Sequence, residues 1–234
     1  MIKLLKLFVF NKIAAALFIK ITLKSHSISY KLAAKFSTIL NDGVHPKHDI
    51  IKYTDWFVEN LGCDEVIIDI GCNAGAMVEI MSSKSKFVYG IEIEPNLLRQ
   101  AKQNCQKTNN EFICADATTY EYSQCKPIDI ITLSNVLEHI KDRDAFLKKI
   151  IEKVPWKDRS SKKLLIRVPM LDREWITVYK KDIGVEYRLD NTHFTEYTFE
   201  QFLEEMRLAE IDVIDHHVVF GELYAVCRAF VKVN

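Results

Sequence analysis

The chain has 234 residues, of which 48% are hydrophobic and 27% charged, with only seven glycines and five prolines. This excludes collagen-like, mucin-like and disordered classes and leaves room for one sizeable α/β domain with an appendage. Lys+Arg and Asp+Glu are 32 each, so there is no global basic field for general nucleic-acid binding; yet residues 1–40 hold seven lysines and no acid, leaving 25 basic against 32 acidic residues in the rest.

The segment from Ile2 to Leu23 is apolar, but Lys12 and Lys20 interrupt it. Its longest uncharged stretch falls short of the roughly 18–20 residues that cross a bilayer, and Lys12 also splits any signal-peptide core. At 100° per residue the lysines gather loosely on one side, which predicts a basic amphipathic helix. Two readings of it stand: a helix packed on the body, or a peripheral contact of residues 1–24 with an anionic membrane. A turn at Asn41-Asp42-Gly43 and the His45-Pro46-Lys47-His48 segment divide two apolar helices, the second from about Asp49 to Asn60. Residues 1–60 therefore read as an N-terminal helical segment and 61–234 as the main domain.

After Gly62, β-branched runs recur at Val66–Ile70, Phe87–Ile93, Glu111–Ala115, Ile128–Leu133 and Leu164–Val168, alternating with helical patterns at about Ala74–Ser82, Pro95–Thr108 and Glu138–Val154. This alternation predicts an α/β, Rossmann-like, doubly wound, mostly parallel sheet covered on both faces. Pro169–Tyr197 carries no clear helix or strand signal and reads as a lid insertion. Thr198 and Gln201 have capping-box spacing and open a helix to about Leu208. Ile211–Phe220 and Glu222–Lys232 then leave no room for a helix between them, so the sheet closes on an antiparallel pair. The six cysteines show no CxxC pair or even framework, and reduced thiols in a cytoplasmic protein are expected.

An open parallel sheet places its ligand at the carboxyl ends of its strands, where strand order reverses. Strand one ends Asp69-Ile70-Gly71-Cys72-Asn73-Ala74-Gly75, where glycines permit close backbone approach. The loop is not Gly-x-Gly-x-x-Gly, and Asp69 puts negative charge where a pyrophosphate would sit, so a cationic ligand suits it better. Glu92 follows Gly71 by twenty-one residues, an interval at which a carboxylate accepts ribose hydroxyls, and Asp116 ends strand three. On these residues the sequence resembles the class I S-adenosylmethionine-dependent methyltransferases, from about Gly62 to the C-terminus. The resemblance implies a seven-stranded sheet with S-adenosyl-L-methionine as cofactor. It implies that Asp69, Gly71 and Gly75 hold the methionine part, Glu92 the ribose, Asp116 with the Ala117 backbone the adenine, and that Ser134 faces the methionine end. Asn73 stands where the family usually has glycine, a tolerated change because Asn accepts left-handed geometry.

Strand four runs into Leu133-Ser134-Asn135-Val136-Leu137-Glu138-His139-Ile140. Asn135 and Glu138 are spaced for reciprocal helix capping. A second reading starts from the acceptor, since O-methylation is helped by a base or a metal that takes the proton, and a histidine suits that task. The Leu-Glu-His segment resembles that of the ubiquinone-pathway O-methyltransferases and the small-RNA 2′-O-methyltransferases, whose Glu-x-x-Glu-His run binds a divalent metal, a later histidine completing the site in the RNA enzymes. Carried over, the positions are Asn135, Glu138 and His139, with His193 as the later ligand. Asn135 replaces the first glutamate, so no metal is assigned, and His139 or His193 acting without metal is the preferred expectation. The segment Arg167–Arg173, together with Trp175, Tyr179, Glu186, Tyr187, Arg188 and Asp190, reads either as groups of the kind that hold sugars or other polar acceptors or as an exposed polar loop. With His45–His48 before the core, the layout resembles uncharacterised bacterial methyltransferases of polysaccharide and secondary-metabolite pathways. The expected activity is methyl transfer to an oxygen of a small polar acceptor, probed against two alternatives: RNA ribose methylation, which the acidic body disfavours, and a non-catalytic, cofactor-binding partner subunit.

Overall fold

The computed structural model describes residues 12–230. They form two units, one of residues 12–52 with Trp175–Tyr187 and the other of Tyr53–Glu174 with 188–230.

The first unit is helical: α1 (Lys12–Leu40), α2 (Pro46–Ile51) and α7 (Trp175–Asp182). Leu23 of α1 is buried, and the largely buried Lys180 of α7 donates from Nζ to Ser27 Oγ at 3.0 Å. The expected turn forms, with the Gly43 N–H donating to Thr38 O and Asn41 Nδ2 to Asp49 Oδ2. The expected helix from Asp49 to Asn60 is instead two. His45 caps α2 by accepting the Lys47 N–H on Nδ1. Lys52 then turns left-handed (φ 50°) and ends it, and α3 (Tyr53–Glu59) starts in the second unit. Helix α7 lies in a stretch read as irregular. Its Trp-Ile-Thr-Val-Tyr start is β-branched and aromatic, which weakens the helix signal; burial of Thr177 and Lys180 supplies what propensity does not. Residues 1–11 of the expected basic helix lie outside the described residues. Among the described residues no helix is long and apolar enough to cross a membrane.

The second unit holds a seven-stranded sheet: β1 (Val66–Ile70), β2 (Phe87–Glu92), β3 (Asn110–Cys114), β4 (Ile130–Ser134), β5 (Ser161–Pro169), β6 (Ile211–Val219) and β7 (Glu222–Phe230). The order is β3-β2-β1-β4-β5-β7-β6. Strands one to five are parallel, and β7 pairs antiparallel with both β5 and β6, as the sequence predicts. Every residue of β1 is buried, the signature of a strand covered on both faces. Alternation divides its side chains between two cores. Ile68 and Ile70 join Ile131, Leu133, Phe146, Ile150 and Phe202. Ile67 joins Ile130, Phe57, Val78, Met81 and Leu98.

The covering helices are α3, α4 (Ala76–Ser82), α5 (Pro95–Asn104), α6 (Arg143–Lys153) and α8 (Phe199–Leu208). Thr198 and Gln201 form the expected capping box on α8. Helix α6 starts five residues later than expected, capped by Asp142, whose Oδ1 accepts the Ala145 N–H. A separate 3₁₀ turn, Leu137–His139, follows β4 and has no side-chain cap. Reciprocal capping by Asn135 and Glu138 is thus corrected: Asn135 turns left-handed (φ 55°), and its buried Oδ1 has no partner. All six cysteines are free.

Candidate active site

Strand order reverses between β1 and β4, so the loops leaving these two strands, and those leaving β2 and β5 outside them, meet at one edge of the sheet. The loop after β1 is fastened to β2, with the Gly71 and Cys72 N–H groups both donating to Ile91 O at 2.8 and 3.1 Å. Gly71 and Gly75 have φ of 74° and 83°. A Cβ on Gly71 would fall 2.6 Å from Val136 Cγ2, and one on Gly75 2.8 Å from Ala101 Cβ. Both steric crowding and the left-handed backbone therefore forbid a side chain there. Gly75→Ala is expected to destabilise the fold by about 1–3 kcal/mol, seen as a lower urea midpoint at unchanged m-value.

Asn73 is left-handed (φ 50°), as the sequence reading allows. Its N–H donates to Glu92 Oε2 at 2.9 Å, while Glu92 Oε1 accepts the Glu94 N–H at 2.9 Å. The buried Glu92 is thus oriented by one backbone donor on each oxygen, with acceptor capacity left on both. Asp69 is buried at the end of β1 and accepts the Thr132 hydroxyl at 2.6 Å. Burial pushes its carboxyl up to about 7; the Thr132 bond opposes this and the Glu92 charge adds to it. Two buried carboxylates at one strand edge, the charge of Glu92 raising the cost of ionising Asp69, fit a ligand bringing positive charge and hydroxyl donors.

The Asp116 loop is joined to this edge through the Ala115 N–H, which donates to Glu92 O at 3.1 Å. Asp116 is exposed, and its Oδ1 closes a local turn by accepting the N–H and the hydroxyl of Thr118. The Ala117 carbonyl accepts the Tyr122 hydroxyl at 2.9 Å. Ser134 ends β4, where its Oγ accepts from Arg167 Nη1 at 3.2 Å. Arg167, read from the sequence as a surface group for the acceptor, is buried. Its Nε donates to Glu222 Oε2 at 2.5 Å, and its guanidinium lies 4.1 Å from the Tyr53 ring centre. Of the other residues read as acceptor groups, Trp175, Tyr179, Glu186 and Tyr187 belong to the helical unit, and Arg188 and Asp190 to the sheet unit.

Glu138, His139 and His193, fifty-five residues apart at the extremes, come together. One potential ligand atom from each lies within 4.8 Å of the others, and the two imidazoles meet edge to face at 4.7 Å. A backbone tie from the Phe194 N–H to Glu138 O, 2.7 Å, holds the two segments together. The hydrogen bonds fix both tautomers. His193 Nδ1 lies 3.1 Å from Glu196 Oε1. Burial works to raise the Glu196 carboxyl, but bonds from His193, Arg173 and the Leu189 N–H overcome it and hold it below the usual range. Glu196 is then ionised and can only accept, so His193 Nδ1 carries the proton. His139 Nδ1 lies 3.0 Å from Thr192 Oγ1, and that hydroxyl spends its single proton on Asp190 Oδ1 at 2.8 Å. Bonds from the Thr192 N–H and hydroxyl hold Asp190 below its usual range, so Thr192 must accept from His139. In each ring Nε2 is therefore the nitrogen that these bonds leave for the cluster.

Glu138 is buried, and its Oε2 has no hydrogen-bond partner. Burial pushes its carboxyl up to about 7, against the pull of its own N–H, His193 and Arg167. Loss of hydration, and then His193, hold the His139 imidazole below its ordinary range. An orphaned buried carboxylate oxygen beside two imidazole Nε2 atoms, one ring oriented by Glu196 and the other through Thr192 by Asp190, is a donor set that fits a divalent cation. Sequence reasoning found these three residues but not Glu196, whose only signal is its place three residues after His193, nor the Thr192–Asp190 relay.

Residues 68–154 match the family model described as a methyltransferase domain. The ubiquinone biosynthesis O-methyltransferase of Nitrosomonas europaea is 27% identical over 108 residues, covering 44% of this chain and 46% of that protein. The chain spans about half the length of such relatives. Among solved structures, the small RNA methyltransferase HEN1 superposes with a TM-score of 0.61 at 17% identity, over 76% of this chain and 25% of that one. An S-adenosylmethionine-dependent methyltransferase from Clostridium acetobutylicum gives 0.60 at 13% identity, over 87% and 100%. Residues 68–154, from within β1 to the end of α6, thus match a methyltransferase domain, and a sheet of order 3-2-1-4-5-7-6 gives the chain the fold of the class I, S-adenosylmethionine-dependent methyltransferases.

Proposed function

We propose that the chain transfers a methyl group from S-adenosylmethionine to an oxygen of a small polar acceptor, with a sugar or a polysaccharide or secondary-metabolite precursor as the favoured class. The observation that carries the choice of oxygen is the Glu138, His139 and His193 cluster, a proton-accepting group beside the end of β4. Asp69, Gly71, Asn73 and Gly75 would hold the methionine part, Glu92 the ribose, Asp116 and the Ala117 backbone the adenine, and Ser134 the methionine end. When bound, the cofactor supplies a methyl already activated on a sulfonium. The protein's work is then to position the acceptor oxygen in line and to take its proton on Nε2 of His139 or His193. Glu196 and the Thr192–Asp190 pair keep those nitrogens facing the reaction. A divalent cation, if held by Glu138, His139 and His193, would lower the pKa of the acceptor hydroxyl. The lid function read for 169–197 fits the polar residues Arg188 to His193 that carry this cluster. The acid excess outside residues 1–40 speaks against an RNA acceptor.

The test is twofold. Calorimetry with S-adenosylhomocysteine is expected to give saturable binding with a Kd below about 1 mM. Methyl-labelled S-adenosylmethionine with a panel of sugars, phenols and RNA is expected to label a hydroxyl compound. Label appearing only in RNA or in amines, or binding without transfer to any acceptor, would overturn the reading.

A further inference from the structure

Helix α1 carries an outward apolar stripe that the described residues leave exposed. Leu17, Ile21, Ile28, Leu32, Phe36 and Ile39 follow one another at intervals of three, four or seven residues, so they share one face, and each is between 46% and 63% exposed. The opposite side is the one the unit uses: Leu23 is 3% exposed and Ser27 holds Lys180. From Leu17 to Ile39 the stripe runs about 33 Å along the helix. Lys20, Lys24, Lys31 and Lys35 fall within one narrow arc directly beside it, and the first acidic residue of the chain is Asp42.

We infer that α1 is a docking helix for an anionic lipid surface, lying in the plane of the interface with the stripe in the acyl boundary and the lysine row among the headgroups. The surface so defined, residues 17–39, overlaps the 1–24 segment the sequence points to and extends it along the exposed apolar face. The alternatives fit the charges worse. In an antiparallel pair with a second copy, lysine flank meets lysine flank. In a parallel pair the lysines meet Thr22, Ser25 and Ser29, with no carboxylate among them. A bilayer rich in anionic headgroups satisfies both the stripe and the row, and the four lysines confine the helix to the surface. The proposal does not rest on the methyl-transfer reading and is tested without it.

The experiment is co-sedimentation of the full chain with vesicles of phosphatidylcholine alone or with about 30% phosphatidylglycerol. The expected result is at least tenfold stronger partition onto the anionic vesicles, weakened by salt. Ile28→Asp with Leu32→Asp is expected to abolish partition. Because both side chains are exposed, a circular dichroism spectrum and melting temperature near those of the parent are expected with it. Lys24→Glu with Lys31→Glu is expected to lose the preference for anionic vesicles while the apolar stripe is intact. Equal partition onto both vesicle types overturns the proposal, as does absence of partition. So does a concentration-dependent dimer in sedimentation velocity that disappears in the Ile28→Asp, Leu32→Asp chain.

Discussion

Asp69→Asn is expected to weaken S-adenosylmethionine binding by about 100-fold at pH 8, the effect of removing one charge-assisted contact in a buried site. The substitution keeps the shape and an acceptor for the Thr132 hydroxyl and removes only the charge. In the free protein, burial pushes the Asp69 carboxyl up to about 7, so below neutral pH the group is protonated and a cationic ligand must expel that proton to pair with it. Affinity of the parent chain should accordingly fall as pH drops below 7, by up to tenfold per unit, whereas the asparagine variant should be weak and flat across the same range. Stability of the ligand-free chain moves the other way. A carboxyl whose folded pKa is raised contributes stability that is fully present below its unfolded value near 4 and is lost as pH rises through 7. Glu138, raised to about 7 as well, adds to the same slope. Melting temperature without ligand should therefore rise between pH 8 and 5.5, and saturating cofactor should flatten or reverse that slope. Calorimetry and thermal melts over this range check both signs. Undiminished affinity in Asp69→Asn would remove the carboxylate from the site.

The arrangement of Asp69, Glu92 and Asp116 was legible in the sequence because topology does the work: in a parallel sheet, residues that end successive strands end at the same edge, whatever lies between them. The strands were legible for a related reason, since runs such as Val66–Ile70, buried on both faces, must be apolar throughout. What escaped depends on single backbone angles or on partners far away in sequence. Lys52 breaks a helix by turning left-handed, although a lysine gives no glycine-like signal. Asn135 and Glu138 have the spacing of a cap, yet the left-handed turn at Asn135 prevents it and leaves both side-chain oxygens buried. Arg167 looked like a surface group for a sugar, but its partner is Glu222 on the antiparallel strand, a pairing that only the finished sheet creates. The tautomers of His139 and His193 follow from Asp190 and Glu196, residues with no motif of their own.

Those tautomers carry the second large effect. His193→Ala and His139→Ala are each expected to lower turnover by about 10²–10⁴-fold while cofactor affinity stays within about twofold, because in the proposed reaction the lost nitrogen acts on the acceptor and not on the cofactor. Glu196→Gln tests positioning. A neutral amide no longer obliges His193 to keep its proton on Nδ1, so the pH–rate profile should shift, whereas a merely structural role for Glu196 would alter stability and leave the profile in place. The same profile separates a free base from a metal-assisted reaction. If His139 alone takes the proton, activity persists to lower pH than an ordinary imidazole would allow, since loss of hydration and then His193 hold it below its ordinary range, and a chelator changes nothing. If the cluster works through a cation, Glu138 must ionise. The rate then falls as pH drops below about 7, excess divalent ion restores it by mass action against the proton, chelation abolishes it, and Glu138→Gln behaves like the chelated enzyme at every pH.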